Sequence, residues 1–129
     1  MSNHLIAEIR LEGSVPSKKN QRINTREGKS FPSKEFEQWQ EDAMWQVRAQ
    51  VRNLRIYVPV AIEVTVLFGR NSRADLDNRL TSILDMLVEA MVLRDDRFEH
   101  VPQMSVRAKY EKGAKPAALI RITEVEPVV

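Results

Sequence analysis

The chain contains no cysteine among its 129 residues and only two histidines. The absence of cysteine excludes disulfide bonds, thiol catalysis and zinc sites built from thiolates, and it fits a reducing compartment. The two histidines, His4 and His100, do not form a histidine-rich zinc spacing. We expect His100 to be an ordinary surface residue, so carboxylates are the strongest candidates for a reactive site.

Several functional motifs are also missing from the sequence. It has no glycine-rich phosphate loop and no Gly-x-Ser-x-Gly turn, which disfavours nucleotide-driven motors and hydrolases with a serine nucleophile. No apolar run is long enough to span a membrane, and the N-terminus lacks a signal-peptide pattern. We therefore expect a cytoplasmic protein with no membrane association and no nucleotide cofactor.

Length and composition indicate one ordinary globular domain spanning residues 1–129, with 43% hydrophobic and 29% charged residues. The net charge is only +2, but the charges are unevenly distributed. Basic residues concentrate in 18–34 and 107–121, and acidic residues concentrate in 35–42 and 75–99. A basic rim around an acidic centre suits a nuclease, because cations hold phosphates and carboxylates hold metal. For any single lysine, a role in solubility is the simpler explanation.

The hydrophobic patterns predict an α/β fold with a small mixed sheet and two helices, in the order β-α-β-α-β-β. Two-residue alternation indicates strands, and a three-to-four-residue period indicates helices. Residues 13–32 show no period and are rich in Gly, Pro, Ser, Asn and Lys, so they predict a long, functional loop. The predicted elements are strand 4–12, a helix capped by Ser33 and ending near Arg52, strand 56–68, helix 76–91, and a hairpin of strands 104–110 and 117–125.

The second helix carries acidic residues at both of its ends. Asp75 is placed to cap the helix, and Asp77 lies at the margin of the apolar stripe, where we expect it to be partly buried. Asp95 and Asp96 follow the end of the helix. The two acidic groups could meet in space or lie a helix-length apart, and spacing alone does not decide between these arrangements.

Carboxylates in this pattern are compatible with a metal site. Asp75, Asp77 and Asp96 are hard oxygen donors, for which Mg²⁺, or Mn²⁺ in its place, is the natural metal. The simpler interpretation is structural, since aspartate is common both at helix starts and in turns.

Three short motifs carry a resemblance to a known family. They are Arg73-Ala74-Asp75-Leu76-Asp77-Asn78, the closing Leu93-Arg94-Asp95-Asp96, and Pro16-Ser17-Lys18-Lys19-Asn20 in the first loop. Together they resemble the RusA family of Holliday-junction resolvases, small endodeoxyribonucleases common in phages and prophages. The resemblance extends over residues 5–125.

The resemblance implies a function and a set of site residues. Asp75, Asp77 and Asp96 would be the catalytic, metal-binding acids, with Mg²⁺ as cofactor and Mn²⁺ able to substitute. The family acts as a homodimer that binds branched DNA, the four-way junction, and cuts two opposed strands, which a twofold dimer suits. The residues we expect to contact DNA are Lys18, Lys19, Asn20, Arg22, Arg73 and Arg79.

The sequence departs from the family pattern at Thr81, where the family usually carries a lysine one helical turn after Asp77. Either Arg79, Arg73 or a loop lysine supplies the missing charge, or activity is reduced. A second hypothesis is therefore a branched-DNA-binding protein with weak or no cleavage. A third is a small interaction module whose acids act only as caps and turns.

Overall fold

The computed structural model of the chain describes residues 4–17, 22–24, 30–71 and 75–128, which form two helices and two sheets. The α/β arrangement predicted from the sequence is confirmed, with two short strands added before the first helix. In chain order the elements are β1 (Leu5–Glu12), β2 (Arg22–Asn24), β3 (Ser30–Pro32), α1 (Lys34–Gln50), β4 (Val60–Phe68), α2 (Leu76–Glu89), β5 (Gln103–Tyr110) and β6 (Ala117–Glu124).

The four long strands form one mixed sheet in the order β1-β6-β4-β5. β4 pairs in parallel with β5 and antiparallel with β6, and β6 pairs antiparallel with β1. Because a parallel pair needs a long crossover between its strands, α2 lies between β4 and β5 in sequence and returns the chain to the starting end of the sheet.

The hairpin predicted for the last two strands is wrong, because β4 lies between β5 and β6. The connection 111–116 instead passes over the end of β4, where Glu111 N donates to Phe68 O at 3.0 Å and Gly113 N donates to Gly69 O at 2.9 Å. Alternation along a strand shows which of its faces is buried, but it carries no information about which strand is its neighbour.

The predicted loop 13–32 contains a short antiparallel pair, β2 with β3, in which Ile23 is paired with Phe31. Strands of three residues are too short to show the alternation from which strands are recognised. Residues 18–21 and 25–29 of the same predicted loop lie outside the described residues.

One face of the four-stranded sheet carries the hydrophobic core. Ile9 of β1, Ile62 of β4 and Ile120 of β6 are fully buried, and they belong to one cluster with Val47 of α1 and Leu87 of α2. The residues between them on the strands point to the other face, as strand geometry requires. Neither helix within the described ranges is long and apolar enough to cross a membrane.

Helix α1 begins where the sequence predicts. The Ser33 hydroxyl oxygen accepts the Phe36 N–H at 3.1 Å, which satisfies one backbone donor of the first turn. The helix ends at Gln50, two residues before the predicted end, and such differences are ordinary at frayed helix ends.

Two glutamines of α1 cover the free edge of β1. Gln50 accepts the Arg10 N–H at 2.8 Å and donates to Arg10 O at 2.6 Å, while Gln46 accepts the Glu12 N–H at 2.7 Å and donates to Glu12 O at 3.4 Å. Each amide therefore occupies the place that a neighbouring strand would take. This cover protects an edge strand from pairing with another chain.

We expect the double substitution Gln46→Ala, Gln50→Ala to lower the free energy of unfolding by about 2 kcal/mol, at roughly 0.5 kcal/mol for each of the four hydrogen bonds. Urea denaturation monitored by circular dichroism measures the change. The matched control is Gln38→Ala on the same helix, whose amide bonds the exposed Asp42 carboxylate. An equal loss in both variants would show that the β1 edge contacts contribute nothing specific.

Candidate active site

Asp75 is the N-cap of α2, as the sequence predicts. Its Oδ1 accepts a hydrogen bond from the Asn78 backbone N–H at 3.5 Å, and its Oδ2 accepts one from the Asn78 side-chain amide at 2.6 Å. The first of these contacts is long and weak, and the second is short. Asn78 therefore fixes the orientation of a carboxylate that is still exposed to solvent.

Asp77 is exposed, so the predicted partial burial is wrong. In the first turn of α2 the flanking Leu76 and Asn78 are half-buried, and the full burial of the helix begins only at Ser82 and Ile83. Water solvates the exposed Asp77 carboxylate, so no cation is needed to offset a cost of burial. The same exposure leaves the carboxylate accessible to a ligand, beside Asp75 at the start of one helix.

A positive charge lies next to these acids. Arg79 Nη1 donates to the Asp75 carbonyl oxygen at 3.3 Å, and the guanidinium carbon lies 5.7 Å from the centre of the Phe68 ring. Thr81, where the resemblance leads us to expect a lysine, donates its hydroxyl to Asp77 O at 3.0 Å and is exposed. Thr81 therefore supplies no positive charge. Among the described residues, Arg79 is a cation that contacts the first turn of α2.

The second acidic pair forms a turn after α2. Asp95 Oδ1 accepts the N–H groups of Asp96 and Arg97 at 2.7 and 3.2 Å, and its Oδ2 lies 3.0 Å from Arg97 Nε. Desolvation acts to raise the pKa of Asp95, but these backbone donors and the Arg97 charge outweigh it, so the pKa is lowered from its usual 3.8. Both carboxylate oxygens of Asp95 make contacts within the turn, whereas the Asp96 side chain is exposed.

The acidic pair Asp75 and Asp77 and the acidic pair Asp95 and Asp96 lie at opposite ends of α2 and β4. Helix α2 has 14 residues, so at 1.5 Å per residue its ends are about 20 Å apart. Asp75 follows the end of β4, while the turn containing Asp96 leads to His100, whose carbonyl oxygen accepts the N–H of Val60 at the start of β4. Accordingly, no three acidic or histidine side chains among the described residues are close enough to hold one metal ion.

Most residues predicted to contact DNA cannot be placed. Lys18, Lys19, Asn20 and Arg73 lie outside the described residues, and Arg22 lies in β2 without a described side chain. Of the predicted set, Arg79 alone has a described side chain, and it lies beside Asp75.

Sequence reasoning missed Ser82. It is fully buried, and its hydroxyl donates to Pro16 O at 2.8 Å and lies 3.1 Å from Asn78 O. This contact fixes the segment before Lys18 to the first turns of α2. The available signal was a polar residue flanked by the apolar positions of the helix, which predicts a buried hydrogen bond.

The donor chemistry of the first turn fits a divalent metal. Mg²⁺ is usually held by one or two carboxylates, with water and substrate phosphate completing its six ligands. Asp75 and Asp77 of one chain meet that requirement as hard oxygen donors on an exposed turn. Asp96 of the same chain does not join them, since it lies at the far end of α2.

Comparison with known proteins defines the class of this protein. Residues 12–123 match the sequence model of the family described as Endodeoxyribonuclease RusA. That range covers most of the chain, so the chain belongs to the RusA family, and the resemblance drawn from the three motifs is confirmed. A relative from Aquifex aeolicus (strain VF5), named Crossover junction endodeoxyribonuclease RusA, is 28% identical over 115 residues, which cover 89% of each chain.

The lowered pKa of Asp95 predicts a pH-dependent contribution to stability. Because the folded-state pKa lies below the usual 3.8, the stabilisation is fully present above that value and is lost as the pH falls through the folded-state pKa. We expect Asp95→Asn to lower the melting temperature at pH 7, and the difference from the unsubstituted protein to disappear as the pH falls below the folded-state pKa. Thermal melts across this range measure the effect. A constant difference at every pH, or an equal change in the control Glu99→Gln, would contradict the assignment.

Proposed function

We propose that this protein is a divalent-metal-dependent endodeoxyribonuclease that resolves four-way DNA junctions by cutting two opposed strands, and that it acts in the cytoplasm as one domain. The observation that carries the proposal is the exposed first turn of α2, where Asp75 is oriented by Asn78, and Asp77 and Arg79 lie beside it. Membership of the RusA family and the name of the Aquifex relative support the choice of substrate.

Each group in this turn has a role in phosphodiester hydrolysis. Asp75 and Asp77 would hold Mg²⁺, or Mn²⁺ in its place, and the Asn78 amide orients the Asp75 carboxylate for binding. When bound, the metal would supply Lewis-acid stabilisation of the charge that develops on the phosphate and on the departing 3′-oxygen. Arg79 provides a fixed positive charge beside the acids, which favours the approach of a DNA phosphate.

The remaining acid, Asp96, comes from a second copy of the chain. The ends of α2 are about 20 Å apart, and Asp75 and Asp96 lie beyond opposite ends, so one chain does not bring them together while the helix is folded. In a twofold dimer with antiparallel α2 helices, the Asp96 end of one copy would lie beside the Asp75 end of the other. This arrangement yields two equivalent sites, which is what paired cuts in a nearly twofold junction require.

The surface around Asp96 has the composition of an interface. Tyr57, Met91 and Phe98 are 70%, 61% and 61% exposed, and Arg94 lies 6.0 Å from the Tyr57 ring centre. Aromatic residues, methionine and arginine are the types enriched in protein interfaces. Met91 also has φ of 66°, a conformation that favours glycine, so a large exposed side chain is present at a backbone cost of about 1 kcal/mol.

A second candidate function is a junction-binding protein that cuts weakly or not at all. The observation in its favour is Thr81, which is uncharged and whose hydroxyl is bonded to the Asp77 carbonyl oxygen. Such a protein would bind junctions in a salt-sensitive manner and would produce no nicks at any Mg²⁺ or Mn²⁺ concentration.

We expect Asp77→Asn to reduce the cleavage of a labelled four-way junction by at least about 100-fold while leaving its melting temperature unchanged, because the side chain is exposed. Cleavage is measured with Mg²⁺ and with chelator, beside a linear duplex. The control is Glu41→Gln, an exposed acid on α1. Full activity in Asp77→Asn would refute the assigned site, and junction binding without nicks in the unsubstituted protein would favour the binding-protein function.

A mixing experiment tests whether Asp96 acts in the partner's site. Asp77→Asn and Asp96→Asn are each expected to be inactive alone. If sites are shared between copies, a heterodimer of the two has one intact site, formed by Asp75 and Asp77 of one chain and Asp96 of the other. We therefore expect the mixture, after subunit exchange, to regain single nicks at up to about half the rate per heterodimer.

The control for the mixing experiment is the pair Asp75→Asn and Asp77→Asn. Both substitutions affect the same end of α2, so neither a shared nor an unshared arrangement restores a complete site. Recovery in the first mixture but not in the second supports the shared site. If neither mixture recovers while exchange is shown by differently tagged subunits, Asp96 does not act across the dimer.

A further inference from the structure

The connection between β5 and β6 is fixed tightly against the start of the site. We call residues 111–116 the basic turn. Its Glu111 N–H donates a hydrogen bond to the Phe68 carbonyl oxygen, and its Gly113 N–H donates one to the Gly69 carbonyl oxygen. A Cβ atom on Gly69 would lie 1.9 Å from the Ala114 carbonyl oxygen, so only glycine permits this approach.

The basic turn contains two lysines and one acid, Glu111. Lys112 and Lys115 are exposed, as is Lys109 at the end of β5, and none of the three forms an ion pair within the described residues. On the open face of the sheet, Arg10 pairs with Glu12 at 2.9 Å and Arg121 pairs with Glu8 at 3.3 Å.

The surface next to the basic turn is concave and lies beside the candidate acids. A cavity of about 180 Å³ is lined by Gly69, Arg70 and Arg79 on one side and by Ser14 and Pro116 on others. Arg79 also contacts the Asp75 carbonyl oxygen. Pro116 of the basic turn lines this recess, and Arg79 connects the recess to Asp75. Its two lining cations, Arg70 and Arg79, attract an anionic polymer rather than a neutral ligand.

We propose that the basic turn is a binding site for the sugar-phosphate backbone of DNA, held at a fixed distance from the acids by the contact at Gly69. The identity of the polymer rests on the proposed function. Lys112 and Lys115 contact phosphates of the strand that enters the recess, and the turn, hydrogen-bonded to Phe68 and Gly69, sets that strand's position relative to Asp75 and Asp77. Lysines presented on a rigid turn lose little conformational freedom on binding beyond that of their own side chains.

The test is the salt dependence of DNA binding by Lys112→Ala/Lys115→Ala. The dissociation constant is measured in the presence of chelator at salt concentrations between about 50 and 200 mM. The slope of log affinity against log salt concentration is expected to change by about 0.9 for each phosphate contact. We expect the slope to fall by nearly two units and binding to weaken at least about 10-fold. The variant Lys112→Arg/Lys115→Arg should retain the slope, because it keeps both charges.

The control is Arg10→Ala/Arg121→Ala, which removes the same charge from the sheet face, where both arginines are already paired. An equal loss of slope in the control and in the lysine variant would overturn the proposal, because net charge alone would then explain binding. No loss of slope in the lysine variant would overturn it as well. Gly69→Ala should lower the slope with both lysines present, provided that its melting curve shows a folded protein.

Binding is measured on a four-way junction and on a linear duplex, so that the two proposals fail separately. A loss of slope on both substrates supports the basic turn even if the unsubstituted protein shows no preference for junctions and no cleavage. Junction-specific cleavage that persists while the lysine variant keeps the full slope would retain the nuclease and remove the basic turn as a contact.

Discussion

The parallel pairing of β4 with β5 determines where every candidate functional group lies. Parallel neighbours require the chain to return to the starting end of the sheet between them, and α2 provides that return. The helix therefore begins at the end of β4, next to Asp75, and finishes near the start of β4, where Asp96 lies. The separation of the acids is thus a consequence of topology and does not depend on the local conformation of either turn.

The fold was predictable wherever one strand or helix carries its own signal. The Ser33 and Asp75 caps and the buried alternation of β4 follow from local chemistry, and all three are present in the structure. The β5–β6 hairpin was not predictable, because pairing depends on which strand occupies the centre of the sheet. β5 shows the limit of the pattern, since its alternating Met104 and Tyr110 are both exposed at a sheet edge.

The candidate site was predictable in its chemistry but not in its assembly. Helix geometry gave the capping role of Asp75 correctly and the burial of Asp77 incorrectly, because the first turn of a helix can extend beyond the core that its later turns contact. Ser82 was missed, because a single polar residue among the apolar positions of a helix interrupts the hydrophobic pattern, and the pattern does not reveal its partner, Pro16 O. That partner is distant in sequence, which no periodicity reveals.

The charges at the end of β4 are arranged as a binding surface would require. Asp95 pairs with Arg97, and Glu8 pairs with Arg121. The side chains of Asp77, Lys112 and Lys115 are exposed and form no ion pairs within the described residues. Such charges gain little from the fold and stay available to counter-charges from outside. Under the proposed function, a polyanion would neutralise the lysines and a divalent cation would neutralise the carboxylates, so one DNA–metal complex would satisfy both groups at once.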